Sequence, residues 1–311
     1  MDPNQNTPLK IRLSTLVDLR IPHFSRSVPP GTVLQYTLKP TDTEFWYHTF
    51  RDTLLEKLGH KHYPVFRWGD GECVFSVGYR MARPSSGQNP IWYYCRTALS
   101  AYVKHRLHRN FLSGTPSYGY ERYNHREWLL ARQKFVHQLQ RIAQEGSIGF
   151  NFVVQQSVPF CDQYIAPVCD WLDQHRINIS DHNYFPCYFV YALLTGPDLN
   201  VVLAGRHVLV VTSDLREKSS LLASRLLLSG ACSVQFLSIS RSRAMLDVIS
   251  LADVKTPVDV ALIGAGVGAA NVIDQLRPLN AVCIDSGFAL DCLAEPALRG
   301  CRVYTLPDTE A

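Results

Sequence analysis

Several familiar catalytic patterns are missing from this chain of 311 residues. It contains no Cys-x-x-Cys pair and no His-Glu-x-x-His, which excludes the common zinc ribbons and zinc proteases. It also lacks a Gly-x-Ser-x-Gly elbow and a Gly-x-x-x-x-Gly-Lys loop, which removes the usual anchors of a serine hydrolase and of a P-loop NTPase. No internal repeat or low-complexity tract stands out. The chemistry must be sought in less common patterns.

Long hydrophobic runs and a strong net charge are missing as well. No run approaches the roughly 18 apolar residues of a membrane span, and the opening MDPNQNTPLKIRL lacks the apolar stretch of a secretory signal. The net charge of +4 is mild and does not indicate a nucleic-acid binder. We expect a cytoplasmic protein without a transmembrane segment, for which a peripheral contact with a membrane surface stays open.

Cysteine is present, but not in a disulfide pattern. The nine cysteines, an odd number, are scattered from Cys73 to Cys301. Scattered thiols fit a reducing compartment better than a disulfide framework. We therefore expect free, buried thiols, which agrees with a cytoplasmic location.

The remaining composition is that of a folded domain with a sizeable core. Hydrophobic residues make up 46% and charged residues 19% of the chain. From about residue 200 onward, short continuous apolar runs alternate with helical segments, which is typical of strands buried on both faces. These runs cover residues 208–211, 234–239, 258–263 and 282–284. The sequence therefore predicts the α/β class, with a Rossmann-like, mostly parallel sheet and helices on both faces.

The first 40 residues differ from the rest of the chain. Residues 1–40 are rich in Pro, Ser and Asn and predict an N-terminal extension, whereas residues 41–311 predict a single α/β domain. Thr41 and Glu44 form a capping box that begins a helix, and Gly59 ends it. Further helices are predicted over residues 96–111, 125–145, 159–175, 189–194 and 221–228, a strand over 147–154, and a binding loop over 179–188.

The most informative stretch is VFRWGDGECVF, in which a β-prone entry meets a Gly-Asp-Gly turn. Gly69 and Gly71 free the backbone for a sharp bend. Asp70 and Glu72 are two residues apart, so on an extended strand edge both carboxylates project to the same side. A cation between them relieves their repulsion, and oxygen ligands favour Mg²⁺ or Mn²⁺ over zinc. Arg67 offers a fork for a phosphate or a carboxylate. An isolated Asp-Gly-Glu is also typical of an ordinary turn.

The hexapeptide RWGDGE resembles the Arg-aromatic-Gly-Asp-Gly-Glu signature of the GT-D-fold glycosyltransferases. In that family an Asp-x-Glu pair serves the divalent metal and the diphosphate of a nucleotide-sugar donor. The resemblance continues in VDVALIGAGVGAA, a late strand with a small-residue loop and helix, and in AVCID, which ends at Asp285. It spans roughly residues 45–295. Family members often follow that late Asp with Gly-His, whereas this chain has Ser286 and Gly287, so no role of that His carries over.

Two further loops are predicted beyond the carboxyl ends of strands, where ligands bind in parallel sheets. Ser213, Arg216 and Lys218 lie at a helix N-terminus, whose N–H groups and dipole favour an anion. A helix cap with solvated charges explains these three residues equally well. Gly264 and Gly266 open the other loop and would let a nucleotide approach the backbone closely.

That glycine loop also supports a rival interpretation. It satisfies G-x-G-x-x-A after a predicted strand, with Asp285 on the next one, as in an NAD- or SAM-binding enzyme. Such a fingerprint normally begins a βαβ series, but too few residues follow Asp285 for a complete nucleotide-binding half. The rival also leaves RWGDGE unexplained. Close packing of a helix on a strand is a third explanation of the glycines.

The resemblance implies a metal-dependent glycosyltransferase. It would transfer a sugar from a nucleoside diphosphate donor, with a UDP-sugar expected, to a glycan or glycoconjugate. Asp70 and Glu72 would position Mn²⁺ or Mg²⁺, which offsets the charge on the departing diphosphate. Arg67, with Arg216 or Lys218, would add positive charge at the phosphates.

The acceptor side is less constrained by the sequence. An inverting reaction needs a group that deprotonates the acceptor hydroxyl, and Asp181, His182 and Asp285 are unranked candidates. The basic run within residues 96–111 could attract an anionic acceptor or lipid headgroups, or be a solvated helix face. A non-catalytic relative would bind nucleotide sugars without turnover.

Overall fold

A computed structural model of the chain describes residues 40–78, 89, 91–92, 95, 99, 123–150, 159–180, 182–187, 189–213 and 215–295. The predicted N-terminal extension lies almost wholly outside these ranges, so the domain division at residue 40 stays a prediction. No helix in the described ranges is long and apolar enough to cross a membrane.

Helices and strands alternate along the described chain. The helices are α1 Pro40–Lys57, α2 Asp70–Val77, α3 His125–Glu145, α4 Pro159–Gln174, α5 Phe189–Thr195, α6 Asp198–Leu203, α7 Leu215–Leu228, α8 Ala269–Gln275 and α9 Ala289–Ala294. The strands are β1 Tyr63–Trp68, β2 Ser147–Phe150, β3 Tyr184–Pro186, β4 His207–Thr212, β5 Ser233–Ser238, β6 Val260–Gly264 and β7 Val282–Asp285. Short 3₁₀ turns cover Gly266–Gly268 and Arg277–Leu279.

The seven strands form one sheet in the order β3-β2-β1-β7-β6-β4-β5, and each of the six pairings is parallel. The predicted α/β class with a Rossmann-like sheet is confirmed. At the centre, Val65 of β1 lies opposite Ser147 of β2 on one side and Ile284 of β7 on the other. Strands far apart in sequence thus end at the same edge of the sheet.

Both faces of the sheet are buried, which explains the continuous apolar runs. In β4, Leu209 and Val211 face one apolar layer, whereas Val208 and Val210 face the other. Helices α2, α3, α4 and α8 cover the first layer, and α1, α5, α6, α7 and α9 cover the second. A strand between two helical layers needs apolar side chains at successive positions, so its pattern can be recognised in the sequence.

Some element boundaries differ from the predicted ones. β3 lies within residues 179–188, which the sequence predicts as a binding loop, because a strand of three residues leaves no periodic pattern. α7 begins at Leu215 rather than at residue 221. β2 ends at Phe150, and residues 151–154 of the predicted strand lie outside the described ranges.

The strand order creates a point where two connections diverge. The connection after β4 runs through α7 on one face of the sheet, whereas the connection after β6 runs through α8 on the other face. β4 and β6 are neighbours, so the two connections diverge beyond their carboxyl ends, where open sheets of this kind form a crevice. Ligands of open α/β sheets bind at such a topological switch point.

Replacement of Phe135 by Ala tests the aromatic core under α3. Phe135 is buried against the rings of Phe66, Trp68, Phe75 and Trp171. We expect Phe135→Ala to lower the free energy of unfolding by about 3–5 kcal/mol, because it removes a large side chain from a packed site. Urea denaturation measures this loss.

The matched control lies on the same helix. Leu130 is almost half exposed, so Leu130→Ala should cost less than about 1 kcal/mol. Equal losses in the two variants would contradict the described packing of α3.

Candidate active site

The three loops that the sequence predicts as ligand-facing follow neighbouring strands. β1 ends at Trp68, β7 at Asp285, β6 at Gly264 and β4 at Thr212, and these four strands are adjacent in the order β1-β7-β6-β4. Because all of them are parallel, their carboxyl ends lie at one edge of the sheet. The RWGDGE hexapeptide, the glycine loop after β6 and the loop after β4 that contains Ser213 therefore all lie at this edge of the sheet.

The Asp70–Glu72 segment is helical, so the expectation of an extended strand edge is wrong. Asp70 is the first residue of α2, and Gly69 is its N-cap. The backbone N–H of Gly69 donates to Glu72 Oε2 at 2.8 Å, and Glu72 is buried. This is the acid-to-backbone half of a capping box, which favours helix initiation. On a helix, residues two apart differ by about 200° in direction, so helix geometry does not align the two carboxylates.

Helix α2 packs against the glycine turn Gly266–Gly268. Gly268 in turn lies against the loop after β5, since a Cβ on it would be 2.4 Å from the Cβ of Ala244. Close packing thus explains Gly268. The structure also brings α2, which follows β1, and the glycine turn, which follows β6, into contact, although they are far apart in sequence.

Arg67 and Asp285 join the ends of the adjacent strands β1 and β7. The backbone N–H of Arg67 donates to Asp285 Oδ2 at 3.2 Å, and its Nε donates to the Asp285 carbonyl at 2.6 Å. The guanidinium lies 3.6 Å from Asp285 Oδ1 and 4.9 Å from the ring centre of Tyr191. Their side chains are 13% and 5% exposed, respectively. The anion that Arg67 contacts is therefore one within the protein, and its predicted phosphate role stays a prediction.

The protonation of this pair follows from burial and attraction. Burial raises the pKa of Asp285, and the Arg67 cation and its hydrogen bonds lower it by a smaller amount. Burial alone would lower the pKa of Arg67, but the attraction of Tyr191, Asp285 and Cys187 outweighs it and raises that pKa. Arg67 is therefore a fixed cation, and the ionised form of Asp285 depends on it.

Lys218 and Ser213 are the other predicted phosphate ligands whose side chains the structure describes. Lys218 Nζ lies 2.7 Å from Asp291 Oδ1 and 3.6 Å from Glu295 Oε1, so this lysine links α7 to α9. Ser213 follows β4 directly and is half-buried beside the crevice. The side chain of Arg216 lies outside the described part. The phosphate roles of these residues stay predictions.

Of the three predicted acceptor bases, two are described. Asp285 is buried in the ion pair, whereas His182 is exposed at the start of the segment that leads into β3. Asp181 lies outside the described ranges, as does the side chain of Asp70. His182 precedes β3, so it lies at the amino edge of the parallel sheet, opposite the candidate site, whereas Asp285 lies at the carboxyl edge.

The donor set near the first turn of α2 suits a hard divalent cation. Asp70 and Glu72 supply carboxylate oxygens, and Mg²⁺ is commonly held by one or two carboxylates with substrate phosphates completing its shell. Among the side chains that the structure describes, no group of three or more His, Cys, Asp or Glu is placed to hold a metal by itself. The predicted metal role of Asp70 and Glu72 stays a prediction.

Tyr191 and Gly287 are parts of the site that the sequence does not reveal. Tyr191 lies in α5, within an apolar run that predicts only a buried helix, yet its ring contacts the Arg67 guanidinium. Gly287 has φ +45°, and a Cβ on it would lie 1.9 Å from an Arg67 guanidinium nitrogen. The only sequence signal is the glycine itself, two residues after Asp285.

Comparison with known proteins gives one family match. The model of the GT-D-like family, described as a GT-D fold-like domain, matches residues 131–293, which is more than half of the chain. β1 and the RWGDGE hexapeptide precede that range. No curated protein matches the chain.

Two solved structures are similar to most of the chain. One is a selenomethionine-substituted structure of the domain of unknown function 1792, with 14% identity, a TM-score of 0.49, and coverage of 84% of this chain and 86% of the other. The second is described as the highly conserved domain of unknown function 1792 with a distinct glycosyltransferase fold, with 14% identity, a TM-score of 0.47, and coverage of 86% and 87%.

Replacement of Gly287 by Ala tests the contact with Arg67. The new Cβ meets the guanidinium and the residue keeps a left-handed backbone, so we expect a loss of about 2–4 kcal/mol in the free energy of unfolding. Gly205→Ala is the matched control, because Gly205 has φ +68° with no atom within 4 Å of the added Cβ, and backbone strain alone should cost about 1 kcal/mol. Denaturant unfolding measures both, and equal losses would show that the overlap with Arg67 is unimportant.

Replacement of Arg67 by Gln should make stability depend on pH. Without the cation, the pKa of Asp285 rises further, so the folded state favours the protonated acid. The loss in the free energy of unfolding relative to the wild type should be small near pH 4. It should grow as the pH rises towards 7.5, where an unpaired buried charge costs about 3–5 kcal/mol. Urea denaturation across this range measures the trend.

The double variant Arg67→Gln/Asp285→Asn is the control, since it has no carboxyl group to titrate. Its stability relative to wild type should lack the rise in penalty with pH. A penalty in Arg67→Gln that is constant with pH would refute the electrostatic coupling of the two residues.

Proposed function

The chain belongs to the family of GT-D fold-like domains, and we propose that it transfers a sugar from a nucleoside diphosphate donor in a metal-dependent reaction. The enzyme class that this family indicates is glycosyltransferase. The proposal adds a UDP-sugar as donor, Mn²⁺ or Mg²⁺ as cofactor, and a glycan or glycoconjugate as acceptor.

The observation that carries the proposal is the contact of α2 with the glycine turn at the carboxyl edge. Helix α2, which begins at Asp70 and contains Glu72, packs on the Gly266–Gly268 turn beside the switch point between β4 and β6. A nucleotide in the crevice would have the glycine turn along its length and the carboxylates near its diphosphate end. The RWGDGE hexapeptide and the glycine loop would then bind the same ligand.

A bound divalent ion would supply positive charge where the diphosphate leaves the sugar. Glu72 is held in place by the Gly69 N–H, so its carboxylate is oriented before a ligand arrives. Such preorganisation lowers the cost of ligand binding. Asp70, two residues earlier, completes the carboxylate pair of the motif.

The transfer needs one bond to break and one to form. The bond between the anomeric carbon and the diphosphate oxygen breaks, and the electron pair goes to the diphosphate. The acceptor oxygen forms the new bond, and its proton passes to a base. Asp285 is already paired with Arg67 inside the protein, and His182 precedes the amino end of β3 on the opposite edge of the sheet, so we assign this proton to neither residue.

The same ion pair weighs against an NAD- or SAM-dependent enzyme. In that alternative, the acid after the second strand must present its carboxylate to a ribose hydroxyl. Asp285 has the right position in the chain, but both its carboxylate oxygens lie near Arg67 and the side chain is buried. The glycosyltransferase proposal needs no exposed Asp285.

Calorimetric titration of UDP, with and without Mn²⁺, tests the proposal. The variant is Asp70→Asn/Glu72→Gln, because the introduced glutamine keeps an oxygen that can accept the Gly69 N–H while the metal-binding charge is lost. We expect Mn²⁺ to strengthen UDP binding to the wild type at least tenfold, and the variant to lose this gain. Donor hydrolysis by the same proteins distinguishes an enzyme from a binding protein.

Asp170→Asn/Asp253→Asn is the matched control, since it removes two exposed carboxylates elsewhere on the chain. It should bind UDP and Mn²⁺ like the wild type. UDP binding without a metal effect, or tighter binding of NAD or S-adenosylmethionine that Gly266→Val abolishes, would refute the proposal.

A further inference from the structure

A loop after β5 runs along the carboxyl edge of the sheet towards the glycine turn. It begins beside β4, because the backbone N–H of Ile239 donates to the Thr212 carbonyl at 3.3 Å. It ends beside the glycine turn, because a Cβ on Gly268 would lie 2.4 Å from the Cβ of Ala244. Residues 240–244, here named the crossing loop, therefore connect the two sides of the switch point between β4 and β6.

The crossing loop is held at its far end by ion pairs and by burial. Arg243 Nη2 lies 2.9 Å from Glu127 Oε1 in the first turn of α3, and Arg243 Nε lies 3.5 Å from Asp247 Oδ1. Ala244 is buried, and its carbonyl accepts Asn271 Nδ2 of α8 at 2.8 Å. These contacts fix one end of the loop, and the hydrogen bond to β4 fixes the other. A side chain on a fixed backbone loses less freedom when it binds a ligand.

Arg241 lies within the crossing loop and is exposed. Its side chain forms no ion pair or hydrogen bond with any residue that the structure describes. By contrast, Arg67, Lys218 and Arg243 each contact a carboxylate of the protein. An unpaired guanidinium can bind an anion without first breaking an internal ion pair, so Arg241 is the best suited of these four cations to receive a phosphate.

The place of the crossing loop agrees with the ligand proposed above. Ser213 follows Thr212, so the loop begins beside one of the predicted phosphate ligands and ends at the glycine turn. A nucleoside diphosphate carries about three negative charges near neutral pH, and a divalent ion offsets about two of them. About one negative charge is then left for a side-chain cation.

We infer that Arg241 binds the diphosphate of the nucleoside diphosphate donor. The inference rests on the proposed function and adds to it a phosphate-binding residue that the sequence motifs do not include. The planar guanidinium can donate two parallel N–H groups to phosphate oxygens, which gives direction as well as charge. Arg241 follows β5, whereas Asp70 and Glu72 follow β1, so the donor would be held from two separate strands.

Calorimetric titration of UDP in the presence of Mn²⁺ tests the inference on the full chain. Arg241→Gln removes the charge and keeps part of the side-chain length. We expect at least a tenfold loss of UDP affinity, because a charge-assisted hydrogen bond to phosphate is lost. Arg241→Lys keeps the charge without the planar fork and should lose less affinity.

Salt dependence separates a phosphate contact from a structural role. Between roughly 50 mM and roughly 500 mM KCl, the UDP affinity of the wild type should fall more steeply than that of Arg241→Gln, because salt screens the contact of an exposed cation with an anion. The Arg241 side chain supports no other described residue, so thermal unfolding followed by circular dichroism should be the same for this variant and the wild type.

Arg225→Gln is the matched control. Arg225 is exposed in the last turn of α7, which leads into the start of β5 and therefore ends at the amino edge of the sheet. This variant loses the same charge and should bind UDP like the wild type. Equal losses of affinity in the Arg241 and Arg225 variants would overturn the inference, because the effect would then come from the overall charge.

The possible results distinguish this inference from the proposed function. UDP binding that depends on Mn²⁺ but is unchanged in Arg241→Gln would overturn the inference and leave the proposed function intact. Absence of UDP binding by the wild type would overturn both. Unchanged UDP affinity together with slower sugar transfer would assign Arg241 to the acceptor instead of the diphosphate.

Discussion

The pairing of β1 with β7 is the interaction on which the rest of the structure depends. The sheet consists of β3-β2-β1 on one side and β7-β6-β4-β5 on the other, and among the described strands only the β1–β7 pairing connects these groups. Arg67 and Asp285 reinforce it at the carboxyl edge through a backbone hydrogen bond, a side-chain hydrogen bond and an ion pair. Helix α2 reaches the glycine turn because these strands are aligned.

Residues of the RWGDGE hexapeptide have structural roles that are separate from any ligand. Trp68 belongs to the aromatic core, Arg67 holds β7, Gly69 caps α2, and Glu72 accepts the N–H of that cap. Because each of these residues stabilises the turn between β1 and α2, that turn has little freedom to move. Rigid supports of this kind are what a binding site needs, because a loosely held ligand group loses affinity.

The fold could be predicted from the sequence further than the site could. Strands β4, β6 and β7 are buried between two helical layers, so their apolar runs are direct consequences of their environment. The α2 helix could not be predicted because Gly-Asp-Gly is common in turns. Glu72 cannot be recognised as a capping residue until the start of its helix is known. The Arg67–Asp285 and Arg67–Tyr191 contacts join distant parts of the chain, and no local pattern records them.

The β1–β7 pairing also sets an order of events during synthesis of the protein. Arg67 and Asp285 are 218 residues apart, so at about 5–20 residues per second β1 leaves the ribosome roughly 10–40 s before its partner. In that interval β1 can pair with β2, and β2 with β3, but the other edge of β1 has no strand to bind. Unpaired edges are where chains associate wrongly. Correct maturation therefore depends on protection of that edge, by neighbouring segments or by chaperones, until the last strand of the sheet arrives.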